Sequence, residues 1–137
     1  LVRGVLIGAL QTGSPPSDAP AVVVATTAGE RHEVGALFVA ASALAQGWRV
    51  TYLGADLPAD DIVQAATSTN ARAVAISVVA ADAIRVVSEL GVIRRALSLD
   101  VELVVGGSGS AGLAPTLAAL GIRVIDRLPE MEVLLDR

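Results

Sequence analysis

The sequence predicts an α/β domain, a doubly wound five-stranded parallel sheet with helices on both faces. Three observations predict it. Five short apolar runs rich in Val, Ile and Ala recur along the chain. Most are continuously apolar rather than alternating, as strands buried on both faces are. Between them lie segments whose apolar residues fall at helical spacing, and strands alternating with helices give a covered parallel sheet.

The elements follow in order. Leu1 to Leu10 carries Leu6, Ile7 and Leu10 and reads as the tail of an upstream helix. Thr12 to Pro20, "TGSPPSDAP", is a linker of prolines and small polar residues that cannot build a core. Residues 1–20 are thus set apart from a domain over 21–137. "AVVVATT" is the first strand. Glu33 to Gln46 is a helix with Val34, Leu37, Phe38, Ala41, Leu44 and Ala45 at its spacing, stopped by Gly47. "WRVTYLG" is the second strand. "ADLPADDIVQAATSTN" is a turn and a second helix, with Pro58 and acids near its start. "AVAISVV" is the third strand. Asp82 caps a helix to about Leu97, which Gly91 weakens. "VELVVGG" is the fourth strand, Leu113 to Leu120 a short helix, "IRVID" the fifth strand, and Pro129 to Leu135 a last helix.

Composition narrows the chemistry. A chain of 137 residues with 53% hydrophobic residues holds one domain with a real core. It begins at Leu1 rather than Met, so it reads as a piece of a longer protein. It has no cysteine, which rules out disulfides and thiolate zinc sites. All ten basic residues are arginines, so a lysine Schiff base and a P-loop lysine are excluded. A net charge of −4 with scattered arginines leaves no footprint for direct nucleic-acid binding. No apolar run approaches a membrane span, and no signal peptide is evident.

In a flavodoxin-like strand order 2-1-3-4-5, the first and third strands are neighbours at the switch point, where ligands bind beyond the carboxyl ends. His32, the only histidine, lies in the loop after the first strand. Ser77 ends the third strand, and Gly106 and Gly107 end the fourth. The order brings all of them to one sheet edge. No general acid, base or nucleophile set accompanies them, so no residue is assigned as catalytic. The domain carries no self-contained catalytic set, which leans away from an enzyme.

The pattern Glu30-x-His32-x-x-Gly35, then Ser77-x-Val79, then Gly106-Gly107 resembles the cobalamin-binding domain, with its D-x-H-x-x-G, S-x-L and G-G motifs. The resemblance covers Ala21 to roughly Ile125. Glu30 stands for the usual aspartate and Val79 for leucine. The resemblance implies that His32 replaces the cofactor's own base as lower cobalt ligand, with Glu30 accepting its other ring N–H. It implies that Gly106 and Gly107 open a slot for the displaced nucleotide tail, that Ser77 meets the freed base, and that Gly35 lets the helix start close to the tail. Arg31, Val34, Val79 and Ser108 complete the implied contact set, and His32 is the one implied metal ligand. Adenosylcobalamin is favoured, with methylcobalamin as the alternative.

"GERHEVG" and "GWRVTYLGADLPADDI" most resemble the sensor domains of MerR-type, light-responsive, cobalamin-dependent transcriptional regulators. That implies a cytoplasmic protein, an upstream helical bundle, a DNA-binding domain, and homo-oligomers of the full-length protein. The alternative is a corrinoid carrier of a methyltransferase or a cobalamin subunit of a mutase. A distant third rests on Gly107-x-Gly109-x-x-Gly112 with Asp126 beyond it, a formal dinucleotide fingerprint. A dinucleotide fold places that unit first and adds further strands, whereas this chain ends at Arg137. A nucleophile elbow at Ser108 or Ser110 is discarded, because the required motif and a downstream histidine are both absent.

Overall fold

Period-two alternation on the first strand decides which helices cover which face. In β1 (Ala21–Thr27) every residue is buried. Val22 and Val24 turn to one side and Val23 and Ala25 to the other, as successive strand residues must. The computed structural model describes residues 15–125. The linker's first residues, the upstream helix expected over Leu1 to Leu10, and the helix expected over Pro129 to Leu135 lie outside them.

Five parallel strands pair in the order β2-β1-β3-β4-β5, as expected. β2 is Arg49–Leu57, β3 Ala73–Ser77, β4 Glu102–Gly106 and β5 Arg123–Val124. Helix α1 (Val34–Ala45) packs Ala36, Ala40 and Ala43 on the Val22/Val24 face, against Ala73, Ala75, Val104 and Trp48. Small side chains at this layer bring the helix close to the sheet. Helices α2 (Ala59–Ser68), α3 (Ala83–Ala96) and α4 (Ala114–Ala119) cover the other face. There Ile62, Val86, Leu90, Ile93, Leu103 and Leu117 form the larger core. Each such aliphatic side chain is worth about 1.5–3 kcal/mol when fully buried.

Local signals explain the ends. Asp82 caps α3, accepting from the N–H groups of Ile84 and Arg85 at 2.9 and 3.4 Å. Arg94 closes its other end by donating to the carbonyls of Val101 and Ser98. Gly91 does not interrupt α3; it is buried, and a Cβ there would lie 3.2 Å from the Arg95 guanidinium. Gly47, at φ +88, ends the first helix region as expected.

Several boundaries differ from expectation: the third strand ends at Ser77 rather than Val79, and the fifth is observed over Arg123–Val124. β2 continues through Ala55–Leu57, where a turn was expected. It does so by bulging: Ala25 pairs with Gly54 and Thr27 with Leu57, so β2 carries extra residues at its carboxyl end. Gly54 and Asp56 take positive φ there. The short helix expected over Leu113–Leu120 starts earlier, as a 3-10 turn over Ala111–Leu113 that leads into α4. Among the described residues no helix is long and apolar enough to cross a membrane.

Candidate functional site

Glu30 is the fixed point of the carboxyl edge. It sits in the β1–α1 loop and is 1% exposed. Its Oε1 accepts three consecutive backbone N–H groups from the β3–α3 loop, those of Val79, Ala80 and Ala81, at 2.6, 2.8 and 3.0 Å. Its Oε2 accepts from the His32 backbone N–H at 3.3 Å and faces His32 Nδ1 at 3.0 Å. Burial alone would raise its pKa. The N–H groups of Val79 and Ala80, the His32 ring and the N–H of Ala81 outweigh burial and hold the carboxyl at about 2. A permanently ionised carboxylate needs a donor, so Nδ1 carries the ring proton.

The His32 side chain is 63% exposed. With Nδ1 committed to Glu30, Nε2 is the nitrogen open to an incoming metal. Among the described residues no group of three or more His, Asp or Glu could cage a bare ion. A single imidazole suits a metal that arrives already held by a macrocycle. On the other side of His32, Tyr52 on β2 donates its hydroxyl to Glu33 Oε2 at 2.5 Å.

Ser77 and Gly106 are register partners at the ends of β3 and β4. A Cβ on Gly35 would lie 3.2 Å from Ser77 Oγ, so the glycine at the start of α1 leaves open the space over that hydroxyl. Ser77 is 6% exposed, and no hydrogen bond engages its Oγ among the described residues. An unengaged hydroxyl beside a glycine gap is a receptive contact for a ligand. The Glu30–His32 loop, Gly35, Ser77 and Gly106 are therefore brought together, as expected. Arg31 and Ser108 are exposed, Val34 is half-exposed at the first turn of α1, and Val79 is partly buried.

Gly107 has a structural duty of its own. At φ +102, a Cβ there would lie 2.3 Å from the Val78 carbonyl oxygen; at Gly109 it would lie 2.5 Å from that of Val79. The glycine run after β4 thus packs directly on the β3–α3 loop, with Gly109 N–H donating to Val78 O. This accounts for Gly107 and Gly109 of the formal dinucleotide fingerprint without a dinucleotide; a Cβ on Gly112 would meet nothing within 4 Å.

Thr26 and Asp56 were not singled out from sequence, yet both hold the site. Thr26 Oγ1 donates to the Glu30 carbonyl at 2.6 Å and accepts the Asp56 N–H at 2.8 Å. Asp56 Oδ1 accepts the Gly29 N–H at 2.7 Å. The available signal was a polar pair, Thr26-Thr27, closing an otherwise apolar strand.

A family model described as B12 binding domain matches residues 20–130. An HTH-type transcriptional repressor, CarA of Myxococcus xanthus, is 30% identical over 118 residues. That match covers 86% of this chain and 41% of the repressor, so the chain spans less than half of that relative. A cobalamin-binding protein from Desulfitobacterium hafniense DCB-2 superposes with a TM-score of 0.72 at 20% identity, covering 87% of this chain and 59% of that one. The methanol:cobalamin methyltransferase complex MtaBC of Methanosarcina barkeri gives 0.75 at 17% identity, over 98% of this chain and 52% of the other. The monomethylamine corrinoid protein of the same organism gives 0.70 at 18%, over 97% and 64%. At these identities the solved structures establish the fold.

Proposed function

The chain belongs to the B12-binding domain family, and from that premise we propose that it holds cobalamin with His32 as the lower cobalt ligand and serves as the sensing domain of a transcriptional repressor. The observation that carries the ligation is the Glu30–His32 pair: a buried, ionised carboxylate fixing one ring nitrogen and leaving the other exposed. A neutral imidazole of this kind is a good ligand for a first-row metal. A carboxylate behind it raises its basicity, commonly worth about 10–100-fold in affinity.

The remaining roles follow from what the chain can offer. Ser77 Oγ supplies a hydrogen bond to the freed nitrogen of the cofactor's base. Gly35 and Gly106 leave room for the tail beside it. Val34, Val79 and the aliphatic stem of Arg31 face the corrin. When bound, the cofactor supplies an alkyl–cobalt bond that light or chemistry can break; the chain supplies position and the proton on Nδ1. Adenosylcobalamin is the preferred form.

The regulator reading draws on the sequence relation to the repressor. A second reading, corrinoid carrier, draws on the fold shared with the methyltransferase proteins. The tail motif and the lower ligand would serve both. Ligation is tested with histidine labelled with nitrogen-15 and cob(II)alamin, read by electron paramagnetic resonance. The nitrogen splitting on cobalt should change on labelling and vanish in His32→Ala. Splitting insensitive to the label would mean that the cofactor keeps its own base. The two roles separate on DNA binding by the longer protein: cobalamin- and light-dependent operator affinity supports the repressor, and its absence favours the carrier.

A further inference from the structure

We propose that Asp56 is a positioning residue for His32, acting through the backbone of the β1–α1 loop; this rests on the reading of His32 as cobalt ligand. The metal-binding loop hangs between two strands. On the β3 side, Glu30 grips three N–H groups of the next loop. On the β2 side the grip is Asp56. Its carboxylate takes the Gly29 N–H at 2.7 Å, and its own N–H goes to Thr26 Oγ1 at 2.8 Å. The same hydroxyl donates to the Glu30 carbonyl at 2.6 Å. Asp56 thus reaches two adjacent residues of the loop that leads to His32, Gly29 directly and Glu30 through a buried threonine.

The backbone of β2 is distorted to make this possible. Between Tyr52 and Leu57 the strand carries extra residues relative to β1, and a bulge of this kind re-aims a side chain. Asp56 sits at φ 64, a left-handed conformation that costs most residues energy but that Asp and Asn tolerate. Gly29, its partner, is itself at φ +92. A non-glycine residue held in the left-handed region by a charge-assisted hydrogen bond persists where surrounding structure over-determines it, and such conformations gather at ligand-binding sites. The loop is held before any metal arrives, so ligation by His32 spends little on ordering it.

The test compares Asp56→Gly with Asp56→Asn. Glycine accepts the left-handed backbone but has no acceptor; asparagine keeps both. Two readouts are needed. In the cofactor-free protein, amide exchange at Gly29 and His32 should speed up in Asp56→Gly and stay near wild type in Asp56→Asn. The second readout is affinity for aquocobinamide, a corrinoid without a nucleotide base, whose lower position only a protein ligand can fill. It should fall about five- to tenfold in Asp56→Gly and recover in Asp56→Asn. Wild-type exchange and affinity in Asp56→Gly would overturn the proposal while leaving ligation by His32 intact. Loss in both variants alike would also overturn it, because the acceptor would then not be the cause. Equal aquocobinamide affinity in wild type and His32→Ala would remove the ligation reading itself, and the positioning role would fall with it.

Discussion

Replacing Glu30 by glutamine should turn a pH-dependent stability into a flat one. The carboxyl titrates at about 2 in the folded protein against 4.5 for an ordinary glutamate. The unfolded chain therefore binds this proton more tightly than the folded one. The stabilisation is fully present above pH 4.5 and drains away as pH falls towards 2. At 1.36 kcal/mol per tenfold difference, the gap is worth about 3 kcal/mol near neutral pH and about 1.4 kcal/mol at pH 3. Glutamine cannot serve both sides. With its oxygen towards the amides of Val79 to Ala81, its NH2 group meets the donors of His32; turned round, it meets the three amides. Urea unfolding of the cofactor-free protein, at several pH values between 7 and 3, should find the variant about 2–3 kcal/mol less stable at neutral pH. The difference should shrink by roughly half or more by pH 3. A difference that stays constant across that range would refute the assignment of an ionised, amide-held Glu30.

Gly107→Ala should cost roughly 3 kcal/mol or more or prevent folding, because its Cβ would overlap the Val78 carbonyl. Gly106→Ala, whose Cβ would stand 3.3 Å from the Ile125 carbonyl, should cost only about 1 kcal/mol; thermal unfolding followed by circular dichroism separates them. Gly35→Ala should fold normally but weaken binding of cobalamin several-fold while sparing aquocobinamide, since the added methyl meets Ser77 Oγ. Equal losses for both corrinoids would move the tail away from Ser77. Loaded with adenosylcobalamin and illuminated, the domain should photolyse without changing mass in light scattering, because the proposed ligation already engages its only histidine below the cobalt. A light-dependent mass change would place the switch inside this domain.

The sheet order was legible because most strands are continuous apolar runs alternating with helical spacing, and the first helix has a readable stop in Gly47. Asp82 was legible as a cap because its partners are two and three residues away. The convergence of His32, Ser77 and Gly106 followed from strand order alone. What stayed hidden depends on distant pairing. "ADLP" reads as a turn, yet β2 bulges and runs on to Leu57. The acceptor role of Asp56 is invisible because its donor, Gly29, lies 27 residues away. Likewise the three amides on Glu30 belong to a loop 49 to 51 residues further on. Glycines 107 and 109 match a phosphate-binding pattern in one dimension; in three, they face carbonyl oxygens of their own chain.

The short run from Val78 to Ala81 is bitten from two directions, by the Glu30 carboxylate on one side and by the side-chain-free backbone at Gly107 and Gly109 on the other. For protein engineering this makes the three motifs a single cassette. Transplanting the histidine loop alone onto another sheet of this type would leave Glu30 with no amides to accept and a buried charge to hide. Exchanging the glycine loop for a bulkier one would push the run off the carboxylate and release the imidazole with it. A graft must therefore carry all three loops together, in register, and drift in any one of them during evolution is open only to changes that the other two already accommodate.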